Sequence, residues 1–134
     1  MSIVPYRSLA CMAALLVLSV SHAAAGGPSP SFSSDVQPIL DANCVACHQT
    51  GSAQRGLILE RGKSYVALVG QKSKEANLLL VQPHDAEASY LIRKVTGTQV
   101  QGGGGGSRMP LGGELDAPSI EIIQAWIEAG AENN

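Results

Sequence analysis

Apolar residues recur at intervals of three and four in three parts of the chain, which is the spacing of helices with one buried face. The first predicted helix begins at a capping residue, Ser34 or Asp35, and carries Pro38 at or just after its first turn, where no backbone donor is required. Its apolar face is predicted to consist of Val36, Ile39, Leu40, Asn43, Cys44 and Cys47. Both thiols are therefore expected to leave the same face of this helix.

Two further helices have clear start and stop signals. The middle helix is predicted to begin at Asp85 and to end at Gly97, with acidic residues in its first turn and basic residues in its last, as the helix dipole favours. The final helix is predicted to begin after Asp116, its N-cap, and to end at Gly130. Their buried faces are predicted to be Ala88, Leu91, Ile92 and Val95 in the middle helix, and Ile120, Ile123, Trp126 and Ile127 in the final one.

The connections contain residues that interrupt regular structure. Residues 49–62 are predicted to form an irregular covering loop, and residues 64–69 to form one or two helical turns. The apolar run 78–81 fits a strand or a helix. Residues 102–106 are five consecutive glycines, which predict a flexible loop with much backbone entropy to lose on ordering. The predicted fold class is all-α, with three main helices and short turns.

The first 25 residues have the layout of a secretory signal peptide. Arg7 supplies the early positive charge, and an apolar stretch of 12 residues follows at 9–20. Small residues then offer cleavage near Ala23 or Ala25. Because roughly 20 apolar residues are needed to cross a bilayer, the stretch is too short for a membrane span. We expect a periplasmic or otherwise exported protein whose mature chain has no integral membrane span.

The composition fits one small domain, predicted to span residues 32–134 after a flexible leader at 26–31. A chain of 134 residues with 45% hydrophobic and 15% charged residues has room for a single core and lacks the composition of a disordered protein. Its net charge of −2 provides no basic surface for nucleic acid. Aromatic residues are only 4% of the chain, so we expect a bound group to fill part of the core.

The residues that carry chemistry are Cys44-Val45-Ala46-Cys47-His48, the Cys-x-x-Cys-His signature of covalent c-type haem attachment. On one helical turn the two thiols project toward the same edge of a porphyrin and can form thioethers to its vinyl groups. His48, four residues after Cys44, is then placed over the ring centre as an iron ligand. A disulfide between thiols this close would close too short a loop to stabilise the domain much.

A second axial ligand is predicted in the later half of the chain. Met109 is the single methionine beyond the predicted cleavage site, and it lies 61 positions after His48 in a glycine-rich segment. A thioether is a common partner of histidine on haem iron. His84 is the alternative, although its place beside Asp85 favours an exposed neighbour of a helix cap.

These residues together resemble the small monohaem cytochrome c family, and in particular its exported bacterial domains. The matching stretches are Asp35-Val36-Gln37-Pro38-Ile39-Leu40, the motif at 44–48, Ser89-Tyr90-Leu91, Arg108-Met109-Pro110 and Trp126-Ile127-Glu128-Ala129-Gly130-Ala131. The resemblance implies an all-α fold wrapped around one haem c, whose first and last helices cross beside it. It also implies iron ligation by His48 and Met109, and electron transfer as the activity. The glycine run and His84 depart from the family pattern.

The leading functional hypothesis is a monomeric one-electron carrier that exchanges electrons with redox partner proteins and is not an enzyme. The alternative is a haem-based ligand-binding or peroxidase-like protein in which Met109 leaves the iron easily. A haem-free zinc site of Cys44, Cys47, His48 and His84 is disfavoured, because adjacent residues 47 and 48 point apart on a helix.

Other residues are candidates for contact with the haem, and the sequence allows a simpler role for each of them. Leu57, Leu59, Leu91 and Pro110 are candidate haem-wall residues or plain packing residues, and Arg55, Arg61 and Lys63 are candidate partners for haem propionates or a solvated face. The charges are uneven, since residues 51–75 carry five bases and two acids while residues 114–134 carry five acids and no base. Such asymmetry can orient a redox partner.

Overall fold

A computed structural model describes residues 27–134, so the predicted signal peptide lies outside the described residues. The order of elements is a π-helical turn at Phe32–Val36, α1 at Gln37–Asn43, a 3₁₀ turn at Gln54–Gly56, α2 at Ser64–Leu68, α3 at Tyr90–Thr96 and α4 at Ala117–Glu128. Within residues 27–134 there is no strand, and pairing is limited to isolated bridges such as the one between Lys72 and Leu79. The prediction of a helical domain is confirmed at this level.

The first helical segment begins and ends earlier than predicted. Ser31 is its N-cap: the Ser31 hydroxyl accepts from the Ser34 amide, and the Ser31 amide donates to the Asp35 carboxylate at 2.7 Å. This reciprocal pair resembles a capping box. The helix ends at Asn43, and Cys44 leaves helical geometry with φ −125°. The prediction of a continuous helix through Cys47 is therefore wrong.

The middle helix begins five residues later than predicted. The Asp85 carboxylate caps a separate turn by accepting from the Ala88 amide at 2.8 Å. The amides of Tyr90 and Leu91 then donate to the carbonyls of Leu79 and Leu80, both at 2.9 Å. The run 78–81, which contains bends and isolated bridges, thus satisfies the first donors of α3, which have no partner within a helix. Gly97 ends α3 with φ +80°, as the sequence predicts.

The final helix agrees with its prediction, except that Ile120 is only partly buried. Asp116 accepts from the Ser119 amide at 2.8 Å as the N-cap, and Ile123, Trp126 and Ile127 are buried. With 12 residues α4 is the longest α-helix of the described chain, and none of the described helices has the length and apolarity needed to cross a bilayer.

The core joins the π-helical turn, α1, α3 and α4. Its large side chains form one aromatic cluster, in which the ring of Phe32 lies 5.3 Å from Tyr65 and 5.1 Å from Trp126. Some aliphatic residues near the motif are only partly buried, among them Ile39 and Leu57. Three of the four aromatic residues of the described chain are therefore concentrated where its two ends meet, and Tyr90 lies elsewhere.

Candidate functional site

Residues 44–48 form one hydrogen-bonded turn directly after α1. The amide of His48 donates to the carbonyl of Cys44 at 3.0 Å, and the amide of Cys47 donates to the same carbonyl at 3.2 Å. Cys44 is half-buried and packs against the core, whereas Cys47 is exposed. Both are free thiols. The turn thus brings the two thiols and the imidazole of the motif together without a continuous helix.

Burial and, to a smaller extent, the neighbouring Cys47 together raise the pKa of the Cys44 thiol from 9.0 to about 11. Cys44 is therefore protonated near neutral pH. Cysteines that act as nucleophiles or dithiol oxidants have lowered pKa values and lie in electropositive surroundings. Burial of Cys44 acts in the opposite direction, because it disfavours the thiolate.

The imidazole of His48 is oriented by the covering loop. Its Nδ1 lies 3.2 Å from the carbonyl oxygen of Leu57, and the His48 carbonyl accepts from the Leu59 amide at 2.7 Å. Because a carbonyl only accepts, Nδ1 is the donor in this contact, and in the neutral imidazole Nε2 keeps its lone pair. Metal-binding histidines commonly show this arrangement, in which the second ring nitrogen is fixed by a carbonyl. The residues therefore fit the ligation of a haem iron through Nε2.

Met109 is held against the end of α3. Its amide donates to the carbonyl of Lys94 at 3.0 Å, and the Nε of the preceding Arg108 donates to the carbonyl of Val95 at 2.8 Å. Arg108 also pairs with Glu114 at 2.5 Å. The segment around Met109 thereby satisfies late carbonyls of α3, which lack partners inside the helix. Met109 itself is half-buried.

The glycine run is a loop, as predicted, and it packs against α3. A Cβ at Gly102 would lie 2.6 Å from the Cδ of Arg93, and a Cβ at Gly104 would overlap the ring and hydroxyl of Tyr90. Gly103 and Gly106 have φ values of +78° and +70°, which favour glycine. Only Gly105 has open space together with an ordinary φ. The absence of side chains at residues 102 and 104 thus allows the run to lie close to Arg93 and Tyr90 of α3.

His84 lies at the C-terminal end of α4. Its amide donates to the Ile127 carbonyl at 2.8 Å, its Nδ1 is 3.3 Å from the Glu128 carbonyl, and its ring packs over Gly130. The side chain is exposed, as the sequence favours. In residues 27–134 no three His, Cys, Asp or Glu side chains are grouped closely enough to hold a metal ion. The zinc hypothesis thus gains no support from this geometry.

The candidate haem-wall and propionate residues divide into distinct groups. Leu59 and Leu91 are buried in the core, while Leu57 and Pro110 remain half-buried. The basic candidates all have carboxylate partners: Arg55 pairs with Glu75, Arg61 with Asp41 and Lys63 with Glu60. Of these carboxylates, only Asp41 lies outside residues 51–75 and adds to the two acids already counted in that segment.

A network of charged side chains lies beside the glycine run. The sequence contains little that predicts this network. The Lys94 ammonium donates to Glu75 and to the Gly105 carbonyl, each at 2.8 Å. The Tyr90 hydroxyl donates to the same carboxylate oxygen at 3.0 Å. The bond from Lys94 lowers the pKa of Glu75 most, and burial raises that of Tyr90. The sequence shows Lys94 only as a base near a helix end, and Glu75 belongs to no motif.

No protein-family model matches the chain, and no curated protein matches it. Among solved structures, it is similar to Kuenenia stuttgartiensis hydrazine synthase, with a TM-score of 0.53 and 21% sequence identity. The match covers 78% of this chain and 16% of the other, so the chain spans less than a fifth of that protein. At this identity the similarity shows a shared fold alone.

Proposed function

We propose that this protein is an exported c-type cytochrome that carries one electron at a time between redox partner proteins. Cys44 and Cys47 attach one haem covalently, and His48 and Met109 are the ligands of its iron. The observation that carries the proposal is the contact between His48 Nδ1 and the Leu57 carbonyl at 3.2 Å, because it leaves Nε2 available to a metal. When bound, the haem supplies the reversible one-electron change between ferric and ferrous iron.

The protein residues provide attachment, orientation and apolar contact. The protonated, half-buried Cys44 and the exposed Cys47 are free to form thioethers. The covering loop holds the imidazole of His48, and α3 holds the backbone of Met109. Partly exposed apolar side chains such as Ile39 and Leu57 gain a partner when a large apolar ring covers them. This extra burial compensates for the small number of aromatic residues.

The carrier function is favoured over a ligand-binding or peroxidase-like one. A labile Met109 was the reason to consider the second function, and the packed glycine run weakens that reason. His84, the histidine available for acid or base chemistry, is engaged with carbonyls at the end of α4. A carrier needs neither an open iron position nor a catalytic acid.

The distribution of charged side chains supports a proposed surface for the redox partner protein. Within the described chain, Lys72 and Lys74 remain exposed bases beside the ion-paired residues, while the acids of 114–134 lie on and around α4. We propose that this asymmetry orients a protein partner of complementary charge and that the carrier acts as a monomer. Long-range attraction of this kind weakens as salt increases, so electron exchange should slow at high ionic strength.

The test is production of the full chain in a host that exports proteins and attaches haem. We expect the purified protein to retain haem after acid-acetone extraction, and its mass to equal one haem plus a chain cleaved near Ala23 or Ala25. Replacing Cys44 and Cys47 together by serine should abolish the covalent haem and reduce helicity. Cys11→Ser is the matched control and should retain haem, because Cys11 lies within the predicted signal peptide. Covalent haem in the double variant contradicts the proposal.

A further inference from the structure

Residue 94 contacts the glycine-rich segment at two points. Its backbone carbonyl accepts from the Met109 amide at 3.0 Å, and its ammonium donates to the Gly105 carbonyl at 2.8 Å. One residue of α3 therefore holds both the proposed ligand and the chain four positions before it. Such double attachment fixes the path of the segment as well as its distance from the helix.

The ammonium of Lys94 is itself fixed by Glu75. The side chains of Lys94 and Glu75 are only 13% and 17% exposed, and their charged atoms lie 2.8 Å apart. Glu75 also contacts Arg55 at 3.3 Å, and it accepts from the Tyr90 hydroxyl. Because charge-assisted hydrogen bonds between poorly exposed groups are stronger than those on the surface, this pair is suited to hold a segment in place.

The ring of Tyr90 determines which residue of the glycine run lies against it. Its ring occupies the space that a Cβ at residue 104 would need, so any residue other than glycine there would have to displace the ring. The ammonium of Lys94 lies 5.8 Å from the centre of the same ring. The ion pair, the ring and the glycine therefore form one packed unit next to the Met109 segment.

We propose that the Lys94–Glu75 ion pair is a positioning device that holds residues 102–109 against α3 and thereby controls how readily Met109 leaves the haem iron. The inference rests on the proposed cytochrome function for its second half. A glycine-rich segment has much backbone entropy to regain when it detaches. The ion pair opposes this detachment, so it slows the replacement of Met109 by an external ligand.

The test uses the haem-loaded protein with Lys94→Leu, which removes the ammonium and keeps the carbonyl that binds Met109. Lys72→Leu, at an exposed lysine, is the matched control. Amide hydrogen exchange is measured at Met109, whose amide donates to the Lys94 carbonyl of α3, and at residues 102–104, whose amides donate to carbonyls of residues 99 and 100 in the same loop. We expect exchange to be roughly 10- to 100-fold faster in Lys94→Leu, since hydrogen bonds of charged groups contribute that much. Imidazole binding to the iron should accelerate in parallel.

A second variant tests the inference in the opposite direction and does not depend on the folding of the first. Gly105→Ala has open space and an ordinary φ, so it should stiffen the detached segment and slow imidazole binding roughly two- to fivefold. Equal exchange in Lys94→Leu and Lys72→Leu overturns the positioning role of the ion pair. Faster exchange with unchanged imidazole binding overturns its control of Met109. Absence of covalent haem in the wild type instead overturns the cytochrome function, and this outcome is read independently by mass.

Discussion

Alanine substitutions at three neighbouring glycines test how the run 102–106 is held, because each position has a different constraint. Gly104 has an ordinary φ but no room, since its Cβ would overlap Tyr90. Gly103 has open space but a φ of +78°. Gly105 has open space and an ordinary φ. The same chemical change should therefore produce three different effects on stability.

The magnitudes follow from these constraints. Gly104→Ala should lower the free energy of unfolding by about 1–3 kcal/mol, the usual cost of overpacking, because Tyr90 must move away from Glu75. Gly103→Ala should lower it by about 1–2 kcal/mol, the cost of a left-handed backbone for a residue with a Cβ. Gly105→Ala should raise it by about 0.4–1 kcal/mol, because alanine reduces the entropy of the unfolded chain.

The assay is urea unfolding of the three variants and the wild type, followed by helical circular dichroism. The midpoints should fall in the order Gly105→Ala, wild type, and then the other two variants, with an unchanged dependence on urea. In thermal unfolding, a change of 1 kcal/mol corresponds to about 4 °C for a domain of this size. Equal effects at all three positions, or a Gly104→Ala protein as stable as the wild type, would refute the packing of the run against Tyr90.

Two other outcomes are expected. Met109→Ala should abolish the weak red charge-transfer band between sulfur and ferric iron and should lower the reduction potential. His84→Ala should leave both the band and the potential unchanged. Loss of the low-spin spectrum only in the His84 variant contradicts the assignment of Met109 as the ligand. The pKa of Glu75 is held below its ordinary value of 4.5, mainly by the hydrogen bond from Lys94, so its contribution to stability is present above pH 4.5 and is lost as the pH falls through the lower folded value. Glu75→Gln should therefore be less stable than the wild type at pH 7 and lose less stability below pH 4.5, as measured by urea unfolding at each pH.

The sequence by itself determined the elements whose signals are local. Asp116 and the apolar spacing of Ile123, Trp126 and Ile127 suffice to define α4, because cap, periodicity and buried face lie within a few turns of each other. Gly97 likewise marks the end of α3 through its φ of +80°. The motif at 44–48 identifies the candidate site for the same reason, since its chemistry depends on spacing within five residues.

Only the tertiary structure decided where α1 ends and α3 begins. The backbone of Cys44 leaves the helix, and the next residues turn so that the carbonyl of His48 meets the covering loop. The start of α3 moves to Tyr90 because carbonyls from residues 79 and 80 take its first donors. Helix propensity is weak compared with such long-range hydrogen bonds, so the local start signal at Asp85 produces a separate turn instead.

The same distinction applies to the site. The spacing of the motif shows which residues can attach a haem, but the bond that fixes the ring of His48 comes from Leu57, nine residues away in an irregular loop. Lys94 and Glu75 are 19 residues apart and share no periodic pattern. Hydrogen bonds and ion pairs between irregular segments form where the folded chain brings those segments together, and no local spacing in the sequence encodes this contact. The sequence therefore determined the proposed chemistry, and the packing of distant segments decided how its ligands are held.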